Sequence, residues 1–553
     1  MTPDSFRQQS VGRKGKSDLR VSSARARPRS GRPCAKPIRY AFVTVTDRAY
    51  WVGTVATVNS ILEFHPKAEI VVVENSETPL EPAQRRILKQ WNRVRLIGPG
   101  AVANRGWPIG GFELKAYACA TLAQPPYAYD VLVLIDSDAL LCAPVDDLVE
   151  RAHHAGAFLG GKDCTLNYTK AYRVYGIEAP CLNEHHMSTS LMFCGLSQRN
   201  VATLRRWAAC CTETRFNRRG SFPGHGDQGI LNAILYAEDK SARVRLLDNR
   251  LWSQHWTYWL DAVDFLDGHF VNRSARNRPQ RAFHCGGTEK FWSYEHSLEV
   301  LDSHPQQVFA YIWFLTMFWF GTNRDWSLDP FDYLLPSERH LLQDLVTFLP
   351  QIAQVRPAVR ADWECLSPVM LRRLLEHVAR RPHQEFAEIQ GIIDLVKQNP
   401  QIRRCVELGG YEGASCLALG LRFLNRDLDV FSAESFLEQQ FGDEADSQAP
   451  SRLNFQQNLA HFPSARVKLI AGIPELVAFS FEGGSIDLVV VSASLRADSL
   501  KGVLAAWRPK VSHGGFIAVT GLRSAATRRI INEVMGQPPC GRGGAFWWKK
   551  TIR

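Results

Sequence analysis

At 553 residues, the chain is too long for one ordinary hydrophobic core, so we expect two large domains, with or without a helical connector. With 45% hydrophobic and 22% charged residues, its composition is that of a soluble globular protein. Its thirteen cysteines are an odd number and include no CxxC pair. This argues against a disulfide framework and a zinc site, and favours a reducing compartment.

Most of the net charge of +11 belongs to residues 1–39, which contain eleven Lys or Arg and two Asp. This segment is rich in Arg, Ser and Pro and has no apolar period, so we predict a disordered tail. It is a solvated extension, a segment that binds an anionic membrane surface, or an organelle transit peptide. Because the rest of the chain is nearly neutral, no nucleic-acid partner is expected.

The sequence has no N-terminal apolar segment of the kind found in secretory signals, which predicts a cytoplasmic protein. The most apolar stretch, Val308–Phe320, has thirteen residues and is shorter than the roughly 20 that a membrane span requires. It is either a buried or an interfacial helix, and we favour the buried one.

The ordered part begins with alternating strands and helices. Apolar runs predict strands at 40–46, 68–73, 93–97 and 131–135, and helical spacing predicts helices at 50–64, 82–91 and 112–122. This alternation predicts a parallel sheet with helices on both faces.

The run at 131–135 ends abruptly at Asp136-Ser137-Asp138. Such a run is typical of a strand buried on both faces, and open α/β sheets bind ligands outside the carboxyl ends of their strands. Two carboxylates two residues apart point to the same side and offer oxygen ligands for Mg²⁺ or Mn²⁺. The same spacing at 427–429 has less weight, because there the carboxylates precede a strand.

Three later features add candidate residues. After a strand at 188–194 and a helix at 198–211, Asp227 lies near the start of another predicted helix. His284 ends a short predicted strand beside a glycine pair, which suits a ligand that a phosphate approaches. Lys290 is close enough in sequence to reach the same anion.

In this order, the motifs resemble the metal-dependent GT-A glycosyltransferases, and glycosyltransferase family 8 most closely, over residues 38–293. The resemblance implies a hexosyltransferase that uses a nucleotide-diphosphate sugar with Mn²⁺ or Mg²⁺. A metal and a lysine would stabilise the charge that develops on the leaving diphosphate. The resemblance assigns donor contacts to Thr44, Thr46, Lys115, Asp136, Asp138 and Lys290, metal ligation to Asp136, Asp138 and His284, and catalytic positions by the donor sugar and acceptor to Asp227 and Gln228.

Two segments depart from the family's pattern. Residues 188–190 are Ser-Thr-Ser where the family has Asn-Ser/Thr-Gly, and residues 290–292 are Lys-Phe-Trp where the family has Lys-Pro-Trp. These departures leave the donor sugar open, and the acceptor is an unidentified glycan, lipid or protein.

Residues 294–380 contain many aromatic residues and several prolines and are predicted to form a helical connector. An amphipathic helix at 383–398 follows. Further strands are predicted at 403–407, 429–433, 467–470, 486–491 and 515–520, with a helix at 414–423. This pattern predicts a second α/β domain.

A glycine-containing turn follows the first strand of this second half. Glycines let a backbone approach a ligand closely, and the helix behind them favours a polar or anionic one. The spacing is not GxGxxG, so a dinucleotide site is not predicted. An acidic residue at the end of the next strand is placed to bind ribose hydroxyls. The candidate cofactor residues are Glu407, Gly409, Gly413 and Glu434.

Residues 380–553 resemble class I S-adenosylmethionine-dependent methyltransferases in ELGGYEGAS, in the acid after the second strand, and in IDLVVV followed by HGGFIAV. The resemblance implies a bound S-adenosylmethionine. Where related sequences often have acids, this chain has 492–494 (Ser-Ala-Ser) and 520–521 (Thr-Gly). The second half is therefore either an active methyltransferase or a binding or structural domain that no longer methylates.

The sequence thus predicts an α/β protein with two Rossmann-like domains, a GT-A domain and a class I methyltransferase fold. The predicted segments are a tail at 1–39, a glycosyltransferase domain at 40–293, a connector at 294–380 and a methyltransferase-like domain at 381–553. The predicted function is metal-dependent sugar transfer, with methylation of the product as a second activity. The alternatives are a non-catalytic scaffold of degenerate domains, and a methyltransferase with an accessory sugar-nucleotide-binding domain.

Overall fold

The structure is a computed structural model. It describes residues 36–98, 111–162, 186–213, 226–237, 243–248, 250–255, 263–285, 290–292, 308–359, 368–378, 385–409, 413–423, 426–435, 455–456, 459, 466–492, 497–522, 525–536, 539–542 and 545–550. The predicted tail lies outside the described residues except for 36–39. Contacts group Arg39–Arg553 into one unit and Met1–Ile38 into another. The domain boundaries at 293 and 380 stay predictions.

The first half contains a seven-stranded sheet and two smaller ones. Its strands are β1 Tyr40–Thr46, β2 Glu69–Glu74, β3 Val94–Ile97, β4 Val131–Ile135, β5 Ala139–Leu141, β6 Phe158–Lys162, β7 Met187–Gly195, β8 Val244–Leu247, β9 Trp252–His255, β10 Val263–Leu266, β11 His269–Asn272, β12 Arg278–Pro279 and β13 Ala282–His284. Its helices are α1 Trp51–Phe64, α2 Pro82–Gln90, α3 Gly111–Leu122, α4 Asp146–Ala155, α5 Gln198–Glu213 and α6 Gly226–Ala237.

The large sheet has the strand order β3-β2-β1-β4-β7-β6-β8. The strands β3, β2, β1 and β4 are parallel, but β7 is antiparallel to both β4 and β6. The four strands whose alternation with helices predicted a parallel sheet are therefore parallel, and β7 adds an antiparallel strand beside β4. A strand buried on both faces has the same apolar pattern whichever way it runs, so the sequence pattern does not reveal its direction.

The small sheet β5-β13-β9 lies directly after the carboxyl end of β4. In it, β13 runs antiparallel to β5, with His284 opposite Ala139 and Ala282 opposite Leu141. Since β5 begins immediately after Asp138, this register places the end of β13 beside the two carboxylates. The sequence analysis did not predict β5, which has only three residues.

The helices of the middle segment are α7 Val308–Phe320, α8 His340–Thr347, α9 Leu349–Val355 and α10 Pro368–Val378. The apolar helix α7 is buried from Ala310 to Phe320, which confirms the prediction of a buried helix. It is fixed to the first half by two hydrogen bonds, from Asn59 Nδ2 to Met317 O at 2.9 Å and from Trp313 Nε1 to Leu141 O at 2.8 Å. Within the described part of the chain, every helix is too short or too polar to cross a membrane.

The second half is built on another seven-stranded sheet. Its strands are β14 Arg404–Leu408, β15 Asp429–Glu434, β16 Val467–Ala471, β17 Ile486–Ser492, β18 Val511–Thr520, β19 Cys540–Arg542 and β20 Ala545–Lys549. Its helices are α11 Phe386–Gln398, α12 Ala414–Arg422, α13 Pro474–Val477, α14 Ala497–Trp507 and α15 Ala525–Met535. The strand order is β16-β15-β14-β17-β18-β20-β19, parallel from β16 to β18, with β20 antiparallel to β18. The five predicted strands of this half are all present.

The approach of α1 to the turn after β4 depends on Gly53. A Cβ atom at this position would lie 2.3 Å from the carbonyl oxygen of Ser137 and 2.3 Å from the ring of Trp292. We therefore expect Gly53→Ala to lower the free energy of unfolding by about 1–3 kcal/mol, although alanine favours a helix.

Chemical denaturation measures this change. Gly98→Ala is the matched control, because a Cβ at the exposed Gly98 meets nothing within 4 Å. We expect the control to change the free energy of unfolding by less than about 0.5 kcal/mol. Equal stability of both variants and the wild type would contradict the close approach of α1.

Candidate metal and donor site

Asp136 and Asp138 lie in a tight turn between β4 and β5. The amide of Asp136 donates to the carbonyl of Ser190 on β7 at 2.8 Å, and the amide of Ala139 donates back to the carbonyl of Asp136 at 3.0 Å. These bonds tie the turn to the sheet on one side and close it on the other. The carboxylates are thus presented at the carboxyl end of a buried strand, as the sequence predicted.

The pairing of β5 with β13 completes a cluster of three metal-ligating groups, Asp136, Asp138 and His284. His284 Nε2 lies 3.5 Å from Asp138 Oδ1 and 3.9 Å from Asp136 Oδ2. One ligand atom from each residue lies within 4.8 Å of the others. Two carboxylates and an imidazole are a donor set that suits Mn²⁺ or Mg²⁺, so the cluster fits a divalent metal.

Two lysines are paired with these carboxylates. Lys115 Nζ, from α3, is 2.6 Å from Asp136 Oδ1, and Lys290 Nζ is 2.5 Å from Asp138 Oδ2. Burial alone would raise the pKa of Asp138, but His284 and Lys290 hold it well below its usual range. Burial alone would lower the pKa of Lys115, but Asp136, Asp227 and Asp138 together raise it. Both lysines therefore carry a full charge at neutral pH.

The Tyr50 ring lies over Lys290 and is itself contacted by Trp292; from the sequence, Trp292 is known only as the end of the Lys-Phe-Trp segment and Tyr50 is not identified. The Lys290 ammonium lies 5.4 Å from the centroid of the Tyr50 ring, close enough for a cation–π contact. The Trp292 indole packs edge-on against that ring and donates a 2.9 Å hydrogen bond to Ala49 O. Their contact has no local signal in the sequence, because Tyr50 is 242 positions from Trp292 in chain order.

Asp227 and Gln228 open α6 at the edge of this cluster. The side chain of Gln228 accepts a hydrogen bond from the Thr189 amide at 3.0 Å, and Trp207 Nε1 donates to the carbonyl of Asp227 at 2.8 Å. Burial raises the pKa of Asp227 to about 6; Lys115 opposes this shift and Asp136 adds to it. The charges of Lys115 and Asp136 therefore both act on the Asp227 carboxyl group.

The predicted donor residues Thr44 and Thr46 lie at the carboxyl end of β1 and are 0% and 1% exposed. The Thr46 hydroxyl is 2.6 Å from that of Thr54 on α1. The described contacts of Thr46 thus fix α1 to the sheet, and its part in nucleotide binding stays a prediction.

The candidate cofactor residues of the second half meet at the carboxyl ends of β14 and β15. Glu434 ends β15 and is 1% exposed, and Gly409 follows β14 with a φ of 72°. Gly413 has a φ of 82° and precedes α12, whose Cys416 amide donates to Glu407 Oε2 at 3.1 Å. Gly409 and Gly413 both have a positive φ, which favours glycine at these two positions.

The metal assignment predicts that Asp138→Asn weakens Mn²⁺ binding at least about tenfold without unfolding the protein, because an amide replaces a charged ligand. Calorimetry with the full chain measures the affinity. Asp429→Asn is the matched control, since it removes an acid from a stretch with the same spacing whose side chain pairs only loosely with Lys468, at 3.7 Å. Equal Mn²⁺ affinity in both variants would contradict the assignment of Asp138 as a metal ligand.

No protein-family model and no curated protein matches the chain. Among solved structures, it is similar to a galactosyltransferase LgtC in complex with donor and acceptor sugar analogues, at 14% identity over 49% of this chain and 95% of that chain, with a TM-score of 0.35. A bifunctional glycosyltransferase WbbM matches at 16% identity over 52% of this chain and 51% of that chain, with a TM-score of 0.36. The glycosyltransferase GlyE of Streptococcus pneumoniae TIGR4 matches at 14% identity over 85% and 90%, with a TM-score of 0.31. At these values, the likeness alone assigns neither a fold nor an activity to this chain.

Proposed function

We propose that the first half transfers a sugar from a nucleoside-diphosphate donor to an acceptor in a metal-dependent reaction, as a glycosyltransferase of family 8 type. The observation that supports this most is the convergence of Asp136, Asp138 and His284 with two lysines in one partly buried site. The side chains of the three ligands are only 7–17% exposed, so charges there interact strongly.

The location of the site supports a nucleotide ligand. Strand β1 lies between β2 and β4: the chain runs from β1 through β2 to β3 on one side of β1 and then crosses to β4 on the other side. In open α/β sheets, ligands bind in the crevice at such a topological switch point, outside the carboxyl ends of the strands. Thr46 and Asp136 lie at or just beyond the ends of the two strands that border this crevice.

The chemistry of the site suits a diphosphate leaving group. Breaking the bond between the sugar and the diphosphate puts negative charge on the bridging oxygen. Lys290 and Lys115 are positioned to stabilise that charge where it forms, and a divalent metal in the cluster would supply Lewis-acid stabilisation. The buried Asp227–Gln228 pair borders the same site and would contact the donor sugar and the acceptor.

A screen of nucleoside-diphosphate sugars with the full chain tests this function. We expect one donor to be hydrolysed or transferred only when Mn²⁺ or Mg²⁺ is present, and Asp138→Asn to lower the rate about 100-fold or more. A chelator followed by re-addition of the metal controls for loss of the fold. Turnover that persists in the chelator, or a failure of every donor to bind, would contradict the proposal.

For the second half, we propose S-adenosylmethionine as the ligand and methylation of the transferred sugar as the reaction. Support comes from the strand order, which reverses between β14 and β17, and from the positive φ of Gly409, which follows β14, and of Gly413, which precedes α12. Glu434, at the end of the neighbouring strand, is placed for ribose hydroxyls. These residues fit the cofactor, because they combine a close backbone approach with a buried acid.

The proposed methyl transfer differs from that of related enzymes in one respect. Ser492 ends β17 and pairs in register with Thr520 of β18, so hydroxyls stand at the strand ends where an acid is common. Both residues are buried, at 6% and 0% exposure. A methyl transfer at this site would therefore depend on positioning rather than on a metal held by these two residues.

We expect Gly409→Val to abolish binding of S-adenosylmethionine to the full chain, because valine fills the turn and disfavours a φ of 72°. Gly484→Val is the matched control: its φ is 70° and a Cβ there meets nothing within 4 Å. Calorimetry with S-adenosylmethionine and its demethylated product measures binding. If the wild type and Gly484→Val bind neither ligand, the second half has only a structural role.

The acceptor, the location and the tail remain proposals from the sequence. We propose a cytoplasmic protein that acts on a glycan, lipid or protein acceptor. In this proposal, the basic tail contacts anionic membranes, because it carries most of the excess positive charge.

A further inference from the structure

Each of the two lysines at the metal site contacts one of the two oxygens of its carboxylate partner. Lys115 Nζ contacts Asp136 Oδ1 and Lys290 Nζ contacts Asp138 Oδ2. The other two oxygens, Asp136 Oδ2 and Asp138 Oδ1, are the ones nearest to His284 Nε2. A metal that takes these inner oxygens and the imidazole therefore leaves both lysine ion pairs in place.

Because both lysine ion pairs stay in place, the charges of the carboxylates and the lysines must be counted together. The two carboxylates and the two ammonium groups cancel, so a divalent cation would enter a site with no net negative charge from these four groups. The lysine side chains are only 14% and 12% exposed, and little water is available to screen them. Repulsion between the cation and the two ammonium groups opposes binding of the metal alone.

A diphosphate changes this balance. Its negative charge compensates both the metal and the lysines, so each of the two ligands favours the binding of the other. By linkage, the factor by which diphosphate raises the metal affinity equals the factor by which the metal raises the diphosphate affinity.

We propose that Lys115 and Lys290 are positioning and charge-balancing residues that make metal binding conditional on the diphosphate. This inference rests on the proposed function of the first half and concerns the order and coupling of its ligands. The lysines hold the outer carboxylate oxygens, orient the inner ones toward His284, and balance the charges of the two carboxylates before a metal binds. The site consequently retains its metal weakly until a donor arrives.

The test measures Mn²⁺ binding to the full chain without any nucleotide, by electron paramagnetic resonance of free Mn²⁺. If the lysines oppose the cation, Lys290→Met binds Mn²⁺ about fivefold more tightly than the wild type or better. If the lysine only orients the carboxylate, Lys290→Met binds Mn²⁺ more weakly than the wild type, because loss of the lysine disorders a metal ligand. Lys115→Met tests the same effect on Mn²⁺ affinity at the other carboxylate, Asp136.

Two controls keep the result specific. Lys290→Arg preserves the charge and is expected to retain the wild-type Mn²⁺ affinity, and Lys89→Met removes a charge from an exposed position on α2. Thermal unfolding confirms that each variant is folded. Unchanged or weaker Mn²⁺ binding in both folded lysine-to-methionine variants would overturn the proposal.

A second arm uses inorganic pyrophosphate, which probes the diphosphate site without a choice of base. The wild type is expected to bind Mn²⁺ more tightly with pyrophosphate, after correction for the complex that forms in free solution, and Lys290→Met is expected to lose most of this gain. If the wild type binds no Mn²⁺ with or without pyrophosphate, the proposed glycosyltransferase site itself fails. Binding with equal coupling in wild type and variant refutes only the role of the lysines.

Discussion

The three-residue pairing between β5 and β13 is the constraint on which the first site depends. It forms immediately after the turn that holds Asp136 and Asp138, and its register places His284 opposite Ala139. The bond from the Cys285 amide to the carbonyl of Asp138, at 2.9 Å, continues the pairing past the end of the strand. Lys290 Nζ donates to the Cys285 carbonyl at 3.0 Å and pairs with Asp138, so an imidazole and an ammonium group beside one short ladder meet the same carboxylate.

The surrounding elements protect this arrangement by close packing. Gly53 lets α1 approach the turn and the Trp292 ring, and α7 covers the far side of α1 through Asn59. The apolar helix α7, for which the sequence leaves a buried and an interfacial position open, therefore belongs to the buried core of the first half. Helix α7 thus packs against α1, and α1 packs against the turn that carries the two carboxylates.

The sequence was most informative where a pattern is local. The strand 131–135 and the helices around it follow from apolar periodicity, and Asp136 and Asp138 follow from the abrupt end of that strand. The contact between His284 and Asp138 is not predictable from the sequence, because it depends on a three-residue strand too short to have a period. The antiparallel course of β7 was likewise hidden, since burial on both faces erases alternation.

Aromatic residues illustrate a second limit. Tyr50 lies between β1 and α1, where it reads as an ordinary helix-start residue, yet in the structure its ring lies over Lys290. In the second half, Gly409, Gly413 and Glu434 are predicted from glycines that follow one strand and an acid that ends the next, which are close in sequence. Their meeting at one point of the sheet needed only the expected order of adjacent parallel strands.

The central claim is that Asp136, Asp138 and His284 bind one divalent metal together with a diphosphate. Anomalous diffraction from crystals of the full chain grown with Mn²⁺ and pyrophosphate tests it directly. The account predicts one strong peak within about 2.0–2.4 Å of an oxygen from each carboxylate and of His284 Nε2, with the diphosphate completing the shell. A Mn²⁺ peak elsewhere, with these three side chains free of metal, would contradict it.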